Sequence, residues 1–210
     1  MKLKTLSFVA GLLFCQPLWA QLSPAETPVA VANPSEATLR QLLTRYDGFN
    51  AHFVQEVRDI EGSVLHTAEG YLEFKQPGQF RWQILEPEPE LLLSNGTTLW
   101  WYNPFVEQVS IYDASEAIAK TPFALLVSQD DEVWRQFNIS PVKGGFSITP
   151  KAQDAQVLAL DIVFKDDVLQ SIKVTGRGQR ISDYTLSQQV FSLGANSQFE
   201  FEIPLGTEID

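Results

Sequence analysis

From Phe49 onward the sequence alternates apolar and polar residues with a period of two, and turn residues interrupt the alternation at intervals of about ten positions. The first run places Phe49, Ala51, Phe53 and Val57 on one parity. A period of two is that of a β-strand, whose successive side chains point to opposite faces. Strands of this length, separated by turn signals, predict a single antiparallel barrel or sandwich.

Helical patterns occur before the strands and in the middle of them. In "NPSEATLRQLLTRYDGF", apolar residues recur at helical spacing from Leu39, and Ser35 is predicted to cap the helix. Between strands, "DASEAIAK" predicts a short helix capped by Asp113 or Ser115. "TPFALLV" predicts a second one, with Thr121 as its cap and a proline at the first helical position.

The first twenty residues have the pattern of a secretory signal peptide. Lys2 and Lys4 precede the apolar run "LSFVAGLLFC", and "LWA" provides a cleavage site after Ala20. Residues 21–34 are rich in proline and alanine without a period, which predicts a mobile leader. One domain is expected over residues 35–210, and the chain is expected to be exported.

The charge balance limits the binding partners. Without the signal peptide the chain carries 13 basic and 26 acidic side chains, a formal net charge of −13. Such a chain is repelled by nucleic acid and by anionic lipid head groups, and we expect a monomer that binds no nucleic acid. The single cysteine, Cys15, follows the bulky Phe14 and lies within the signal peptide, so neither lipidation nor a disulfide is predicted.

Residues that carry catalytic or metal chemistry are sparse. The two histidines, His52 and His66, lie in strand contexts, and no cysteine accompanies them, so no metal or cofactor is expected. The alternating "EPEPE" at Glu86 to Glu90 is interpreted as a solvated acidic connector rather than an acid–base pair. The sequence contains no G-x-S-x-G, and we expect a protein without enzymatic activity.

Aromatic residues are abundant, and in "TTLWWYNPFVEQVS" they occupy both parities of one short strand. Phe80 and Trp82 likewise share one face of a neighbouring strand. Such residues either fill a barrel core or line an apolar cavity, since barrels can hold a ligand. The sequence leaves open which parity of "LWWY" would face a cavity.

Several of these motifs, in order, resemble the LolA family of periplasmic lipoprotein carriers of Gram-negative bacteria. The resemblance rests on "FNAHFVQEVRDIEG", on "FKQPGQFRWQILEPEPELLLSNGTTLWWYNPFVEQVS", on "TPFALL" and on "FEFEIPLGTEI". It implies a mainly β fold, a half-open antiparallel barrel of about eleven strands covered by a lid of short α-helices. It also implies a chaperone that takes lipoproteins by their acyl chains from an inner-membrane ABC transporter and passes them to an outer-membrane receptor.

The resemblance also implies roles for individual residues. Its acyl-chain cavity would be lined by Phe53, Phe80, Trp82, Leu92 and Trp101, and its lid and latch would comprise Gln76, Pro122, Phe123, Leu125 and Leu126. Gln76 departs from the family, which usually has an arginine there to hydrogen-bond the lid, and a neutral amide forms a weaker bond. The alternatives are a receptor of the same fold, a secreted barrel for another hydrophobic ligand, a hydrolase and a structural β domain.

Overall fold

A computed structural model describes residues 33–45, 48–119, 121–178, 180–191, 193 and 199–210. The predicted signal peptide and the predicted leader as far as residue 32 lie outside these ranges. Asn33 and Pro34, at the end of the predicted leader, are described and form the start of the first helix.

Four short helices and twelve strands follow one another along the described chain. The helices are α1 (Pro34–Leu43), α2 (Ala114–Ala119), α3 (Ala124–Val127) and α4 (Asp131–Trp134). The strands are β1 (Gly48–Arg58), β2 (Val64–Lys75), β3 (Gln79–Glu86), β4 (Glu90–Asn95), β5 (Thr98–Asn103), β6 (Gln108–Asp113), β7 (Phe137–Val142), β8 (Gly145–Pro150), β9 (Val157–Lys165), β10 (Val168–Gly176), β11 (Ile181–Val190) and β12 (Glu208–Ile209).

All twelve strands form one sheet, in the order β12-β6-β5-β4-β3-β2-β1-β11-β10-β9-β8-β7. The pairs are antiparallel except for β12, which runs parallel to β6. The two ends of this order do not pair with each other in the described residues, so the sheet stays open. The predicted fold class is confirmed, and the strand beyond the predicted eleven is the two-residue β12.

Two tight turns fix the register of β2 to β5. Gly78 and Gly96 both have positive φ, +70° and +96°, which glycine adopts without a steric penalty. They lie so close that a Cβ on Gly78 would be 2.9 Å from the Cα of Gly96. The Asn95 side chain accepts hydrogen bonds from the backbone N–H groups of Thr97 and Thr98, at 2.9 and 2.8 Å, and closes the predicted β4–β5 hairpin.

The helix caps differ in part from the sequence expectation. Pro34 takes the first helical position of α1, so Asn33 rather than Ser35 is the cap, and its side chain accepts from the Ser35 N–H at 3.0 Å. Asp113, one of the two predicted caps, does cap α2. Thr121 does not cap α3, because its hydroxyl donates to the carbonyl of Ile118 and the helix begins only at Ala124.

The two faces of β4 to β6 are both apolar and both covered. Leu93 and Val109, on the outer face, are fully buried although they lie outside the main core. On the same parity, the rings of Trp100 and Tyr102 pack against Phe201 of the C-terminal segment, with centroids 6.4 and 5.1 Å away. The other parity, which includes Leu99, faces the concave side. This explains why aromatics occupy both faces of "LWWY".

The helices within the described ranges are short, the longest being the ten residues of α1. None of them has the length and apolar composition needed to cross a bilayer.

Candidate functional site

An apolar cavity of about 520 Å³ lies between the concave face of the sheet and the short helices. We call α2, α3 and α4, with their connecting residues, the lid. The sheet contributes residues from β1 to β5 and β11, and the lid contributes residues from α2, α3 and the segment between them. The lining comprises Gln55, Phe74, Phe80, Trp82, Ile84, Glu90, Leu92, Leu99, Trp101, Ala117, Ile118, Thr121, Phe123, Val127 and Tyr184.

The structure brings four of the five predicted cavity residues together on this lining. Phe80, Trp82, Leu92 and Trp101 all contact the cavity, and Trp101, 47% exposed, lies where it opens. Phe53 is fully buried behind the lining, where its ring packs against that of Trp82 with centroids 5.3 Å apart. Phe53 therefore supports the wall from behind.

Strand register orders the lining from an apolar end to a polar end. Phe80 pairs with Phe74 on one side and with Ser94 on the other, and Ser94 pairs with Leu99. The apolar side chains of Phe74, Phe80 and Leu99 therefore lie at the same level, that is, at the same height along the strands. Two residues further along the strands, Trp82 pairs with Leu92, and Leu92 pairs with Trp101.

At the next level, two residues beyond Trp82, Ile84 pairs with Glu90. One level further in the same direction, Gln55 of β1 pairs with Tyr184 of β11. The polar lining side chains of the sheet thus gather at one end, which we call the polar end: Gln55, Glu90 and Tyr184.

The groups of the polar end are held by hydrogen bonds and by ring packing. The Gln55 amide donates to the Tyr184 hydroxyl at 2.9 Å, and the Trp101 indole N–H donates to the Glu90 carboxylate. Burial raises the pKa of Tyr184 to about 12; a hydrogen bond from Ser182 opposes this shift and the charge of Glu90 adds to it. The Tyr184 hydroxyl therefore keeps its proton at neutral pH.

The lid contacts the cavity wall through an aromatic pair. Phe123 meets Trp82 edge to face, with ring centroids 5.7 Å apart and an interplanar angle of 86°. Next to Phe123 in the chain, Pro122 is buried, and Leu125 and Leu126 are buried in the main core. Phe123 thus lines the cavity, whereas Pro122, Leu125 and Leu126 are buried away from it.

A backbone hydrogen bond fastens the lid to the barrel, and a side-chain hydrogen bond joins two parts of the lid. The Gly78 N–H donates to the Val127 carbonyl at 2.8 Å, which joins the β2–β3 turn to α3. The indole of Trp134 donates to the Ser128 carbonyl at 2.8 Å. Neither Gly78 nor Val127 was identified as a lid contact from the sequence, because backbone bonds leave no residue-type signal.

Gln76 contacts the lid region through Gln129, whose amide donates to the Gln76 side-chain oxygen. The side-chain nitrogen of Gln76, Nε2, is buried and has no hydrogen-bond partner within the described part of the chain. Leaving a buried donor unpaired costs about 1–3 kcal/mol. The position thus makes one bond to the lid region and leaves one donor unused.

The polar lining residues are not predicted from the sequence. The sequence places Glu90 in a solvated connector, but it is the first residue of β4 and lines the cavity, whereas Glu86 and Glu88 are exposed. Its parity with Leu92 could have indicated this. Gln55 has the parity of Phe53, but its partner Tyr184 is 129 residues away, a pairing that no local pattern predicts.

Within the described residues, no group of three or more His, Cys, Asp or Glu side chains is placed to hold a metal ion.

Comparisons with known proteins agree on one family. The family model described as "Outer membrane lipoprotein carrier protein LolA" matches residues 44–202. A protein of Shewanella loihica named outer-membrane lipoprotein carrier protein is 36% identical over 188 residues, which cover 87% of this chain and 90% of the relative. A protein of the same name from Vibrio cholerae is 36% identical over 182 residues, with coverages of 86% and 91%.

Among solved structures, a LolA superfamily protein from Nitrosomonas europaea is similar, with a TM-score of 0.50 and 10% identity. The match covers 81% of this chain and 99% of that one. At this level of identity the similarity shows the fold alone.

Proposed function

We propose that this chain, which belongs to the LolA family of outer membrane lipoprotein carrier proteins, binds the acyl chains of lipoproteins in its cavity and carries them across the periplasm. The observation that supports this most directly is the apolar cavity of about 520 Å³ between sheet and lid. Its size lies in the range of ligand pockets, about 300–1,000 Å³. The protein acts by binding and release and is not an enzyme.

The energetics explain why lipoproteins need such a carrier. Each buried methylene contributes about 0.8 kcal/mol. Lipoprotein acyl chains with some tens of methylenes therefore face a barrier of roughly tens of kcal/mol when they leave a membrane for water. A cavity that covers part of the chains lowers this barrier, and transfer stays possible as long as the next acceptor binds more tightly.

We assign the contacts with the acyl chains to Phe80, Trp82, Leu92 and Trp101, with Phe53 supporting the wall from behind. We assign the contact between the lid and the cargo to Phe123, which faces the cavity. The anchoring role is assigned to Pro122, Leu125 and Leu126, which are buried. Gln76 would modulate the lid through its bond to Gln129.

The route of the cargo follows from the carrier function. We infer that the chain is exported with a signal peptide cleaved after Ala20, and that it works as a monomer. It would receive lipoproteins from an inner-membrane lipoprotein-releasing ABC transporter and deliver them to an outer-membrane lipoprotein receptor. The formal charge of −13 suggests that both partners dock through basic surfaces.

The test uses two neighbouring leucines on opposite faces of β4. Leu92 lines the cavity, whereas Leu91 is similarly half-buried but belongs to the outer face. Leu92→Gln should strongly reduce the release of a lipoprotein from inner-membrane vesicles that contain the transporter, and Leu91→Gln should not. Melting curves establish that both variants fold. Equal release by the two folded variants would contradict cargo binding in this cavity.

A further inference from the structure

The polar end gives the cavity a direction. Phe74, Phe80 and Leu99 form its other end, and the side chains of Gln55 and Tyr184 face the same space two strand levels beyond Trp82. Gln55 is only 9% exposed. Burying polar side chains in an apolar wall costs free energy, which their mutual hydrogen bond only offsets, so a wall that only has to bind hydrocarbon does not need this pair.

The Tyr184 hydroxyl is fixed in place and has a proton to donate. Its ring packs edge to face against Trp82 and Phe53, with centroids 4.9 and 5.6 Å apart. The hydroxyl oxygen accepts the Gln55 N–H and is also hydrogen-bonded by Ser182, which acts as a donor, so both bonds leave the Tyr184 proton available for a ligand. A group that only accepts hydrogen bonds, such as an ester or amide carbonyl, suits this donor.

Glu90 adds a fixed negative charge to the same end. Its carboxylate accepts the Trp101 indole N–H and is therefore held at the cavity wall, half-buried. A carboxylate at this place repels a ligand phosphate or carboxylate, and the repulsion is stronger beside apolar groups than in bulk water.

We propose that Gln55, Tyr184 and Glu90 form a head-group subsite that binds the uncharged carbonyl of an acyl ester or acyl amide and disfavours an anionic head group. The inference rests on the proposed function, because it assumes that acyl chains occupy the apolar end. The chains then point toward Phe80 and Leu99, and the carbonyls stay beside Tyr184. The subsite selects neutral acyl glycerols and acyl amides over phospholipids and free fatty acids of the same chain length.

The carbonyl contact is tested with dioctanoylglycerol and the dioctyl ether of glycerol, which lacks both carbonyls. Each ligand displaces a neutral solvatochromic dye from the purified mature protein. The wild type should bind the diester more tightly, and Tyr184→Phe should weaken the diester by about 3- to 10-fold, the worth of one neutral hydrogen bond, while the diether changes by less than about 2-fold. Tyr102→Phe, on the outer face, is the control.

The charge contribution is tested with dioctanoylglycerol and dioctanoyl phosphatidic acid, which differ by the phosphate. The wild type should prefer the neutral lipid by about 10-fold. Glu90→Gln keeps an acceptor for the Trp101 N–H and removes the charge, so this preference should shrink to about 2-fold or less. Glu88→Gln, on the exposed connector, should leave it unchanged.

The outcomes separate the subsite from the carrier function. If the wild type binds both the diester and the diether, but with equal affinity, or if Tyr184→Phe weakens both alike, the carbonyl contact is refuted and the carrier function stands. An unchanged preference in Glu90→Gln refutes the charge selection. If the wild type binds none of these lipids, the proposed function fails and the subsite fails with it.

Discussion

Replacing Arg40 with glutamine tests how the lid is anchored to the first helix. Arg40 extends from α1 toward α4, where its Nη1 lies 2.9 Å from a carboxylate oxygen of Asp131. Its guanidinium carbon is 4.2 Å from the ring centroid of Trp134, a side chain only 2% exposed. A single arginine therefore joins α1 to the far end of the lid by an ion pair and by stacking.

The expected loss can be estimated from these two contacts. The Asp131 side chain is 75% exposed, and an ion pair with such a partner contributes about 0–1 kcal/mol. The cation–π contact adds about 0.5–1 kcal/mol. Arg40→Gln should thus lower the free energy of unfolding by about 0.5–2 kcal/mol. For a domain of this size that corresponds to a fall in Tm of about 1–8 °C.

The assay is thermal and urea unfolding of the mature chain at low and at high salt. Salt screens the exposed ion pair, so at high salt only the stacking loss should remain, about 0.5–1 kcal/mol. Arg135→Gln is the matched control, because Arg135 pairs with Glu132 where both side chains are mostly exposed, and it should change stability by less than about 0.5 kcal/mol. Equal losses in the two variants would refute the anchoring role of Arg40.

Four further predictions follow from single positions or from the overall charge. Gly70→Ala should unfold the barrel at markedly lower temperature than the wild type, because the added Cβ would lie 1.9 Å from the Gln83 carbonyl oxygen; Gly178→Ala, with open space around it, should not. Stability should fall between pH 10 and pH 12, where the Tyr184 phenol ionises in the unfolded chain but not in the folded one. Tyr184→Phe should flatten that part of the curve in urea titrations, and an unchanged slope would exclude Tyr184 as its source. Gln76→Arg should shift the empty protein toward a closed lid, because an arginine offers charged donors where Gln76 makes one neutral bond; equal accessibility of a fluorescent probe on the lid in both proteins would contradict this. Association with the inner-membrane transporter should slow as salt rises, because the acidic chain is steered by opposite charge, and a rate constant independent of ionic strength would rule this out.

The inward face of the barrel could be predicted from the sequence because strand parity is a local property. Phe80 and Trp82 alternate with polar residues, and Leu92 and Trp101 have the matching parity on the next two strands. Strand parity alone does not show how deeply an inward-facing side chain is buried. Phe53 has the inward parity but is covered by Trp82 and Tyr184, so it lies behind the lining rather than on it.

Contacts between distant parts of the chain could not be predicted in this way. The Gln55–Tyr184 hydrogen bond depends on the pairing of β1 with β11, which brings the first strand beside the eleventh. The covering of Trp100 and Tyr102 depends on Phe201, about a hundred positions later in the chain. A local period shows that a strand has two apolar faces, but only the topology shows which segment covers each of them.

The distribution of lid contacts bears on how cargo enters. The anchors of the lid do not involve Phe123: the Gly78–Val127 backbone bond joins the lid to the sheet, and the Arg40 contacts join it to α1. Among the ring contacts within the described residues, Phe123–Trp82 is the one that joins the lid to the cavity wall. An aromatic pair of this kind contributes about 0.5–1.5 kcal/mol beyond its buried area, and the hydrocarbon of an acyl chain can replace much of the packing it provides. Displacing Phe123 therefore costs far less than detaching the whole lid, whose anchors need not break. Cargo entry by rotation of Phe123, with the anchors intact, is the route that these contacts favour.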